Sequence, residues 1–308
     1  MVFVRTITPI FLLIGAGFLS RRLEFLKSGD ERVLSAYVYY FALPALFLVN
    51  MSETSYDQET FRFILAGIIP VFVALMIHTA LYLVFGFSKN AFYLLIITTV
   101  FGSLAFFGIP FITFAFPTME AEHRATLAAA SIAPVAVTIS IASLELYKLG
   151  EATLWEGLKL VAKRLSTNPL IISILCGILL SLTGIAVPLP LSTALHMLGG
   201  TTSTVAIFML GVFLYGRTYT NLVEASRLSL LRMVFLPIVA LLTVKLLNLP
   251  DVERPILVLM HGMPLAVSMI ILSERYDFYK ETVASLILIS SIGAGVYLNL
   301  WLWVLRYF

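Results

Sequence analysis

The sequence predicts an all-α integral membrane protein with ten transmembrane helices arranged as two inverted five-helix repeats. Three observations lead to this fold class. Of the 308 residues, 60% are hydrophobic and only 12% are charged, whereas a typical soluble domain has about 45–50% apolar and about 25% charged residues. The apolar residues form ten runs long enough to cross a bilayer, and short matches relate the two halves of the chain.

The composition excludes several classes of protein. So few charged residues cannot cover a water-facing surface, and a disordered chain needs low hydrophobicity with high net charge. Cys176 is the only cysteine, so no internal disulfide can form. The net charge of +3 is small and scattered, which argues against nucleic acid as a partner. The sequence contains no motif for a metal ion or a cofactor, and we expect neither.

The apolar runs define the elements in order. A helix needs roughly 20 apolar residues to cross a hydrocarbon core about 30 Å thick. The predicted spans, numbered 1 to 10, are 3–20, 31–51, 62–87, 90–117, 123–147, 168–186, 191–216, 225–248, 252–274 and 279–306. Transmembrane β-strands show alternating segments of about ten residues, whereas these runs are longer and continuously apolar. A polytopic helical bundle is therefore predicted.

The distribution of lysine and arginine predicts the orientation. The loops after odd-numbered spans contain 14 of the 20 basic residues, counting Arg217, Arg227 and Arg232 in the loop between spans 7 and 8. Because basic loops tend to stay in the cytoplasm, both termini are predicted to face outside, in the plasma membrane. The linker at 149–167 has apolar residues at helical spacing. It is either a helix on the inner membrane surface or a solvated linker.

Matched segments predict the inverted repeat. The three matching pairs are 14–19 with 175–180, 44–48 with 205–209, and 70–75 with 237–242. Their offsets are 161, 161 and 167 residues. Five spans per half is an odd number, so the second half is inverted relative to the first. We predict a first repeat at 1–148, a cytoplasmic linker at 149–167 and a second repeat at 168–308.

Spans 4 and 9 are interrupted by glycine and proline, at Gly102–Ser103 and Gly108–Pro110 in span 4 and at Gly262 and Pro264 in span 9. Proline removes an amide donor and clashes with the preceding turn. Freed backbone groups are tolerated in a membrane only inside protein or along a wet cavity. A broken helix in the corresponding position of each half indicates a substrate site. Packing kinks are the alternative interpretation.

The second halves of these helices predict anion binding. Each begins with unpaired amide groups and a partial positive charge from the aligned peptide dipoles. Two such ends that meet near Ser103 and Pro264 would attract an anion without a buried lysine or arginine. The predicted substrate-binding residues are Gly102, Ser103, Gly108, Pro110, His261, Gly262, Pro264 and Leu265.

The segment F-G-S-L-A-F-F-G-I-P at 101–110 resembles the fourth-helix motif of the auxin efflux carrier family, usually F-G-N-x-G-F-x-G-x-P. Segments at 263–266, 168–180 and 207–211 resemble the ninth, sixth and seventh helices of that family. Ser103 stands in place of the usual asparagine. The chain lacks the long central hydrophilic loop of the plant PIN proteins, so it resembles a compact prokaryotic-type member.

The resemblance implies the fold of bile-acid/sodium symporters and an elevator-type secondary transporter. Helices 1, 2, 6 and 7 would form a scaffold that is often dimeric, and helices 3–5 and 8–10 a mobile transport domain. A small organic anion, auxin-like or a mono- or dicarboxylic acid, would bind at the crossover of helices 4 and 9. A non-transporting sensor or scaffold and a cation/proton exchanger remain alternatives. No nucleophile and base motif supports an enzyme.

His78 and His261 are the predicted proton-handling residues, because histidine titrates near neutrality. The acidic residues lie almost entirely in loops, with Glu145 the deepest, so a carboxylate-based sodium site is not expected. We expect transport that is independent of sodium, either as uniport or linked to protons through His261.

The charge distribution predicts the accessibility of the linker. In a variant that lacks Cys176, a cysteine at Leu158 should react with an impermeant thiol reagent only from the cytoplasmic side. Labelling of this position from outside would contradict the predicted orientation and the inverted repeat with it.

Overall fold

The structure is a computed structural model that describes residues 2–149, 159, 162–163, 166–216 and 219–307. Helix makes up 83% of it, and the described residues contain no β-strand. Most of the predicted linker at 149–167 lies outside the described residues.

Within each half of the chain, the described helices follow one another closely. The first half of the chain forms α1 (Val2–Arg22), α2 (Asp30–Tyr37), α3 (Leu43–Glu53), α4 (Gln58–Phe85), α5 (Lys89–Val100), α6 (Ile109–Ala115) and α7 (Met119–Leu149). The second half forms α8 (Pro169–Thr183), α9 (Leu189–Leu214), α10 (Leu222–Leu230), α11 (Leu236–Leu246), α12 (Glu253–His261), α13 (Met269–Tyr276) and α14 (Lys280–Val304). A short 3-10 turn at Leu305–Tyr307 follows α14.

Within the described residues, six helical stretches are long and apolar enough to cross a membrane. They are Asp30–Glu53, Gln58–Phe85, Met119–Lys148, Leu189–Leu214, Leu222–Leu246 and Lys280–Tyr307. Lys89–Val100, Leu104–Ala115 and Pro169–Thr183 are shorter apolar helices. The all-helical architecture is confirmed, whereas the count of ten spans and the inverted repeat stay predictions.

Capping residues explain the bounds of α8. Asn168 precedes the helix and accepts a hydrogen bond from the Leu170 amide at 2.9 Å. Pro169 occupies the first helical position, where no amide donor is needed. Gly184 ends the helix with a φ of +67°, a conformation that glycine adopts without a steric penalty.

Three π-helical turns share one sequence feature. In each case, a proline is the second residue after the turn. These prolines are Pro44, Pro110 and Pro237. The turns are Val38–Ala42, Leu104–Gly108 and Leu231–Phe235. A proline ring clashes with the carbonyl group four residues earlier and supplies no amide. The chain relieves that clash by widening into a π turn, which is frequent at functional sites.

The chain divides into two compact units. Unit 1 comprises Met1–Phe61, Ala105–Ala130 and Ser166–Arg217, and it contains α1, α2, α3, α6, α8, α9 and the beginning of α7. Unit 2 comprises Arg62–Leu104, Ser131–Leu165 and Thr218–Phe308, and it contains most of α4, α5, the rest of α7 and α10 to α14.

In unit 1, two glycines allow α1 and α9 to approach closely. A Cβ atom at Gly17 would lie 2.0 Å from the carbonyl oxygen of Phe208, and one at Gly211 would lie 1.9 Å from that of Ile14. Helices in a membrane gain stability from such close packing, because lipid supplies no hydrophobic force between them. These glycines therefore fix the contact between α1 and α9.

In unit 2, the last six residues of α12 are buried on every side. The residues from Ile256 to His261 are all at most 1% exposed. A helix that is apolar all round is a core helix. The end of α12 is thus enclosed by protein, and its last residues belong to the candidate site described below.

The packing of α1 predicts different effects for two neighbouring glycines. Gly17→Ala should lower the melting temperature, because the new methyl group overlaps the α9 backbone and overpacking costs roughly 1–3 kcal/mol. Gly15→Ala is the control, since a Cβ atom there meets nothing within 4 Å. Thermal unfolding of the detergent-purified protein measures both. Equal melting temperatures for the two variants would contradict this packing.

Candidate functional site

Two helix interruptions meet inside unit 2. The helix α5 ends at Val100 and α12 ends at His261, and the segments that follow pair through an antiparallel bridge between Gly102 and Leu265. We call Phe101–Leu104 and Gly262–Ser268 together the bridge site. Of the predicted substrate-binding residues, it contains Gly102, Ser103, Gly262, Pro264 and Leu265.

Hydrogen bonds satisfy much of the backbone in the bridge site. The Ser103 amide donates to the Pro264 carbonyl at 2.8 Å, and the Ala266 amide donates to the Phe101 carbonyl at 3.1 Å. The Leu265 amide donates to Ser290 Oγ at 3.1 Å. The amides of Ser103 and Leu265 are therefore not available to an anion. A buried amide needs an acceptor, and the two interruptions supply acceptors to each other.

Two amides at the start of α13 are free. Neither the Val267 nor the Ser268 amide has an acceptor among the described residues, and both residues are half-buried rather than buried. They precede Met269, the first residue of α13. The beginning of a helix has a partial positive charge and free donors. This end of the bridge site retains the predicted capacity to bind an anion.

Arg232 lies at the centre of the bridge site and is only 2% exposed. Its Nε atom donates to the Met263 carbonyl at 2.8 Å. Its Nη1 atom donates to the carbonyls of Thr99 at 2.5 Å and Val100 at 3.1 Å. One guanidinium group thereby joins the end of α5 to the segment after α12.

The position of Arg232 corrects two expectations from the sequence. The charge distribution predicts Arg232 in the loop between spans 7 and 8, whereas the structure buries it in the π turn between α10 and α11. Without it, thirteen basic residues remain in the odd-numbered loops against six elsewhere, so the predicted orientation is unchanged. The bridge site also contains a buried arginine, which the anion-binding argument had considered unnecessary.

No carboxylate in the described part of the chain pairs with Arg232. Its acceptors are carbonyl oxygens at the C-terminal ends of helices, where the peptide dipoles place partial negative charge. Its Nη2 atom is buried and has no acceptor among the residues that the structure describes. Removing one partner from a buried charge costs about 3–5 kcal/mol, so these three carbonyls are central to the stability of the site.

Gly102 provides the space for the guanidinium group. A Cβ atom at this position would lie 1.6 Å from Arg232 Nη2 and 2.2 Å from Cζ. Any other residue would displace the arginine. The glycine that predicted a helix break therefore has a second role that the sequence did not reveal, which is to allow the close approach of Arg232.

The two predicted proton-handling histidines are both buried in unit 2. His261 is fully buried at the end of α12, with Nε2 2.9 Å from the Gly67 carbonyl. Its Nδ1 atom has no partner among the described residues. A neutral imidazole that donates from Nε2 leaves Nδ1 as a free acceptor.

His78 is connected to the arginine through Thr99. Its Nδ1 atom lies 2.6 Å from the Ala74 carbonyl, and its Nε2 atom lies 3.2 Å from Thr99 Oγ1. The carbonyl of the same threonine accepts from Arg232. His78 is thus placed to position the end of α5.

The other predicted substrate-binding residues do not all lie in the same unit. Gly108 and Pro110 belong to unit 1, at the end of the π turn and the start of α6. Gly262 packs in unit 2, where a Cβ atom would lie 3.2 Å from Pro237 Cγ. Tyr297 of α14 was not predicted, and its hydroxyl group is buried without a partner among the described residues.

The signal for Arg232 was present in the sequence. It lies seven residues after the start of predicted span 8, within a run that is otherwise almost uncharged. A charged residue inside a membrane span is a functional candidate by default. Assigning it to the neighbouring loop concealed that signal.

The description "membrane transport protein" belongs to the family model that matches residues 2–302. The chain belongs to this family. It is the auxin efflux carrier family that the motifs at 101–110 and 263–266 indicated, so the resemblance is confirmed.

Relatives from bacteria and archaea match over almost the full length. The chain is 22% identical to the "Uncharacterized transporter YfdV" of Escherichia coli strain K12, over 99% of this chain and 98% of the relative. It is 23% identical to the "Uncharacterized transporter MJ1031" of Methanocaldococcus jannaschii, over 96% of each chain. It is 25% identical to the "Putative malonate transporter" of Rhizobium meliloti, over 93% of this chain and 90% of the relative.

The hydrogen bond from Leu265 to Ser290 predicts a stability difference between two adjacent serines. Ser290→Ala leaves a buried amide without an acceptor, which costs about 1–3 kcal/mol. We expect a lower melting temperature than for Ser291→Ala, whose serine is also buried but has no hydrogen bond to the bridge site. Thermal unfolding compares them, and an unchanged melting temperature for Ser290→Ala would contradict the bridge geometry.

Proposed function

We propose that this chain is a secondary transporter that moves a small organic anion across the membrane. In this proposal the substrate is held where the interrupted spans 4 and 9 cross. The chain is a multi-pass member of a family of membrane transport proteins. Its named relatives are transporters as well.

One observation carries the choice of an anion. The bridge site combines the positive charge of Arg232, which has no carboxylate partner in the described residues, with the free amides of Val267 and Ser268. A fixed cation and the positive end of a helix both favour negative charge nearby. The same charge disfavours a cation/proton exchanger, because a transported cation would be repelled.

The substrate class is a mono- or dicarboxylic acid, including auxin-like acids. An arginine and amide groups are suitable donors for a carboxylate. The name of the Rhizobium meliloti relative refers to malonate, a small dicarboxylate. Malonate is therefore the first compound to test.

The proposed mechanism is of the elevator type. In its support, α1, α2, α3, α8 and α9, which correspond to predicted spans 1, 2, 6 and 7, all lie in unit 1. Unit 1 also contains α6 and the beginning of α7, which belong to predicted spans 4 and 5. Unit 2 contains both helix interruptions of the bridge site. We propose that predicted spans 1, 2, 6 and 7 form the scaffold and the homodimer contact in the plasma membrane, and that predicted spans 3–5 and 8–10 move with the substrate.

The proposal predicts binding and transport of a carboxylate. Malonate, other dicarboxylates, monocarboxylates and indole acids should be tested for a rise in melting temperature, because a ligand of the native state stabilises it by mass action. The ligand that binds should then enter proteoliposomes without a sodium gradient. Binding without uptake would favour the sensor or scaffold alternative, and a requirement for sodium would contradict the proposed coupling.

The choice between uniport and proton coupling depends on His261. Its free Nδ1 atom is the candidate proton acceptor. We expect uptake driven by the anion gradient and the membrane potential, with the same pH dependence in His261→Gln as in the unchanged protein. A pH dependence that disappears in His261→Gln would instead assign proton coupling to this residue.

A further inference from the structure

The carbonyl groups around Arg232 resemble a cation site. Thr99 and Val100 are the last two residues of α5, and Met263 follows the end of α12. Unwound carbonyls and half-helix C-terminal ends are the groups that coordinate coupling cations in many transporters with broken helices. In this chain the same kind of groups surround one guanidinium group.

We infer that Arg232 is a tethered cation that occupies the place of a coupling ion in the bridge site. The guanidinium charge replaces an exchangeable ion, so the site keeps its positive charge in every step of transport. This inference rests on the proposed anion site, and it specifies how that site is charged and why sodium is not required.

The hydrogen-bond geometry supports the view that the guanidinium group of Arg232 takes the place of a bound cation. Three of the five N–H groups of Arg232 donate to carbonyl oxygens of two different helix ends, at 2.5–3.1 Å. A free cation at this position would bind the same oxygens. The side chain differs in being covalently attached, so it cannot leave with the substrate or follow a sodium gradient.

The surroundings of Arg232 also exclude an ordinary ion pair. In the described part of the chain, no carboxylate accepts a hydrogen bond from it and no group accepts one from Nη2. A buried arginine that served stability alone is expected to pair with a carboxylate, because an unpaired buried charge is costly. Here the helix ends supply only partial charges, so the net charge of the site remains positive and available to an anion.

Gly102 is the second residue that this arrangement requires. Because a Cβ atom would lie 1.6 Å from Nη2, an alanine here forces the guanidinium group away from its carbonyls while the charge stays on the chain. Gly102→Ala therefore keeps the positive charge of Arg232 in the chain but moves it away from the carbonyl groups. The variant tests whether the position of the charge matters.

Chemical rescue tests the inference without any substrate. Arg232→Ala should have a lower melting temperature, and free guanidinium at millimolar concentration, far below denaturing levels, should raise it. Choline at equal ionic strength should not. The unchanged protein and Arg227→Ala, which removes an exposed arginine of α10, should not respond to guanidinium. Gly102→Ala should be destabilised but not rescued, because the new methyl group fills the space that free guanidinium would need.

Two outcomes would overturn the inference. One is an Arg232→Ala protein that is as stable as the unchanged chain. The other is an Arg232→Ala protein whose loss of stability is not reversed by guanidinium. If Arg232→Ala does not fold, the stabilities of Arg232→Lys and Arg232→Met are compared instead. Replacing a buried charge with an apolar residue is often neutral or stabilising, so a purely structural role would favour methionine. The inference requires the lysine variant to be the more stable, and the opposite order would contradict it.

Transport measurements separate this inference from the proposed function. In proteoliposomes, malonate uptake by the unchanged protein should be equal in sodium and choline, and Arg232→Ala should lose about tenfold or more of it, with partial recovery in guanidinium. Absence of uptake in the unchanged protein contradicts the proposed substrate while the stability rescue still stands. Uptake with sodium dependence, or an Arg232→Ala variant with full uptake, contradicts the tethered cation.

Discussion

The structure of unit 2 depends on the hydrogen bonds between one buried arginine and the ends of two helices. Breaking a helix inside a membrane leaves carbonyl groups without donors, and neither water nor lipid can satisfy them there. Arg232 supplies donors to carbonyls at both interruptions, and the bridge between Gly102 and Leu265 pairs the adjacent backbone. The site is thus stable in the interior although it is formed by unwound chain.

Several local features permit this arrangement. The π turn at Leu231–Phe235 arises because Pro237 cannot continue a regular helix, and it contains the arginine. Gly102 leaves room for the guanidinium group. His78 contacts Thr99, which in turn accepts from Arg232. Residues that look like independent helix breakers in the sequence therefore form one connected network, and changing one of them alters the contacts of the others.

Membership of the membrane transport protein family fits this organisation. A transporter must bind its substrate inside the bilayer, where charged groups are costly unless they have partners. The end of a helix can pair with a buried charge without a second buried charge, because its peptide dipoles already exist and need only be oriented. In the proposed function, the C-terminal ends of α5 and α12 hold the guanidinium group. The beginning of α13 leaves the amides of Val267 and Ser268 without acceptors among the described residues. Charge and shape for an organic anion then come from the backbone as much as from side chains.

The sequence by itself determined the helical membrane character, the family and the positions of both interruptions, because hydropathy and the placement of glycine and proline are local properties. Ser103, Pro264 and Leu265 could be predicted as neighbours because the two interruptions occupy matching positions in the two halves of the chain. Only the tertiary structure decided which charged side chain lies at the interruptions and which backbone amides there have acceptors. Arg232 donates to a carbonyl 133 residues earlier in the chain, so no window of sequence contains both partners. The pairing of the Ser103 and Leu265 amides likewise depends on contacts that exist only after folding.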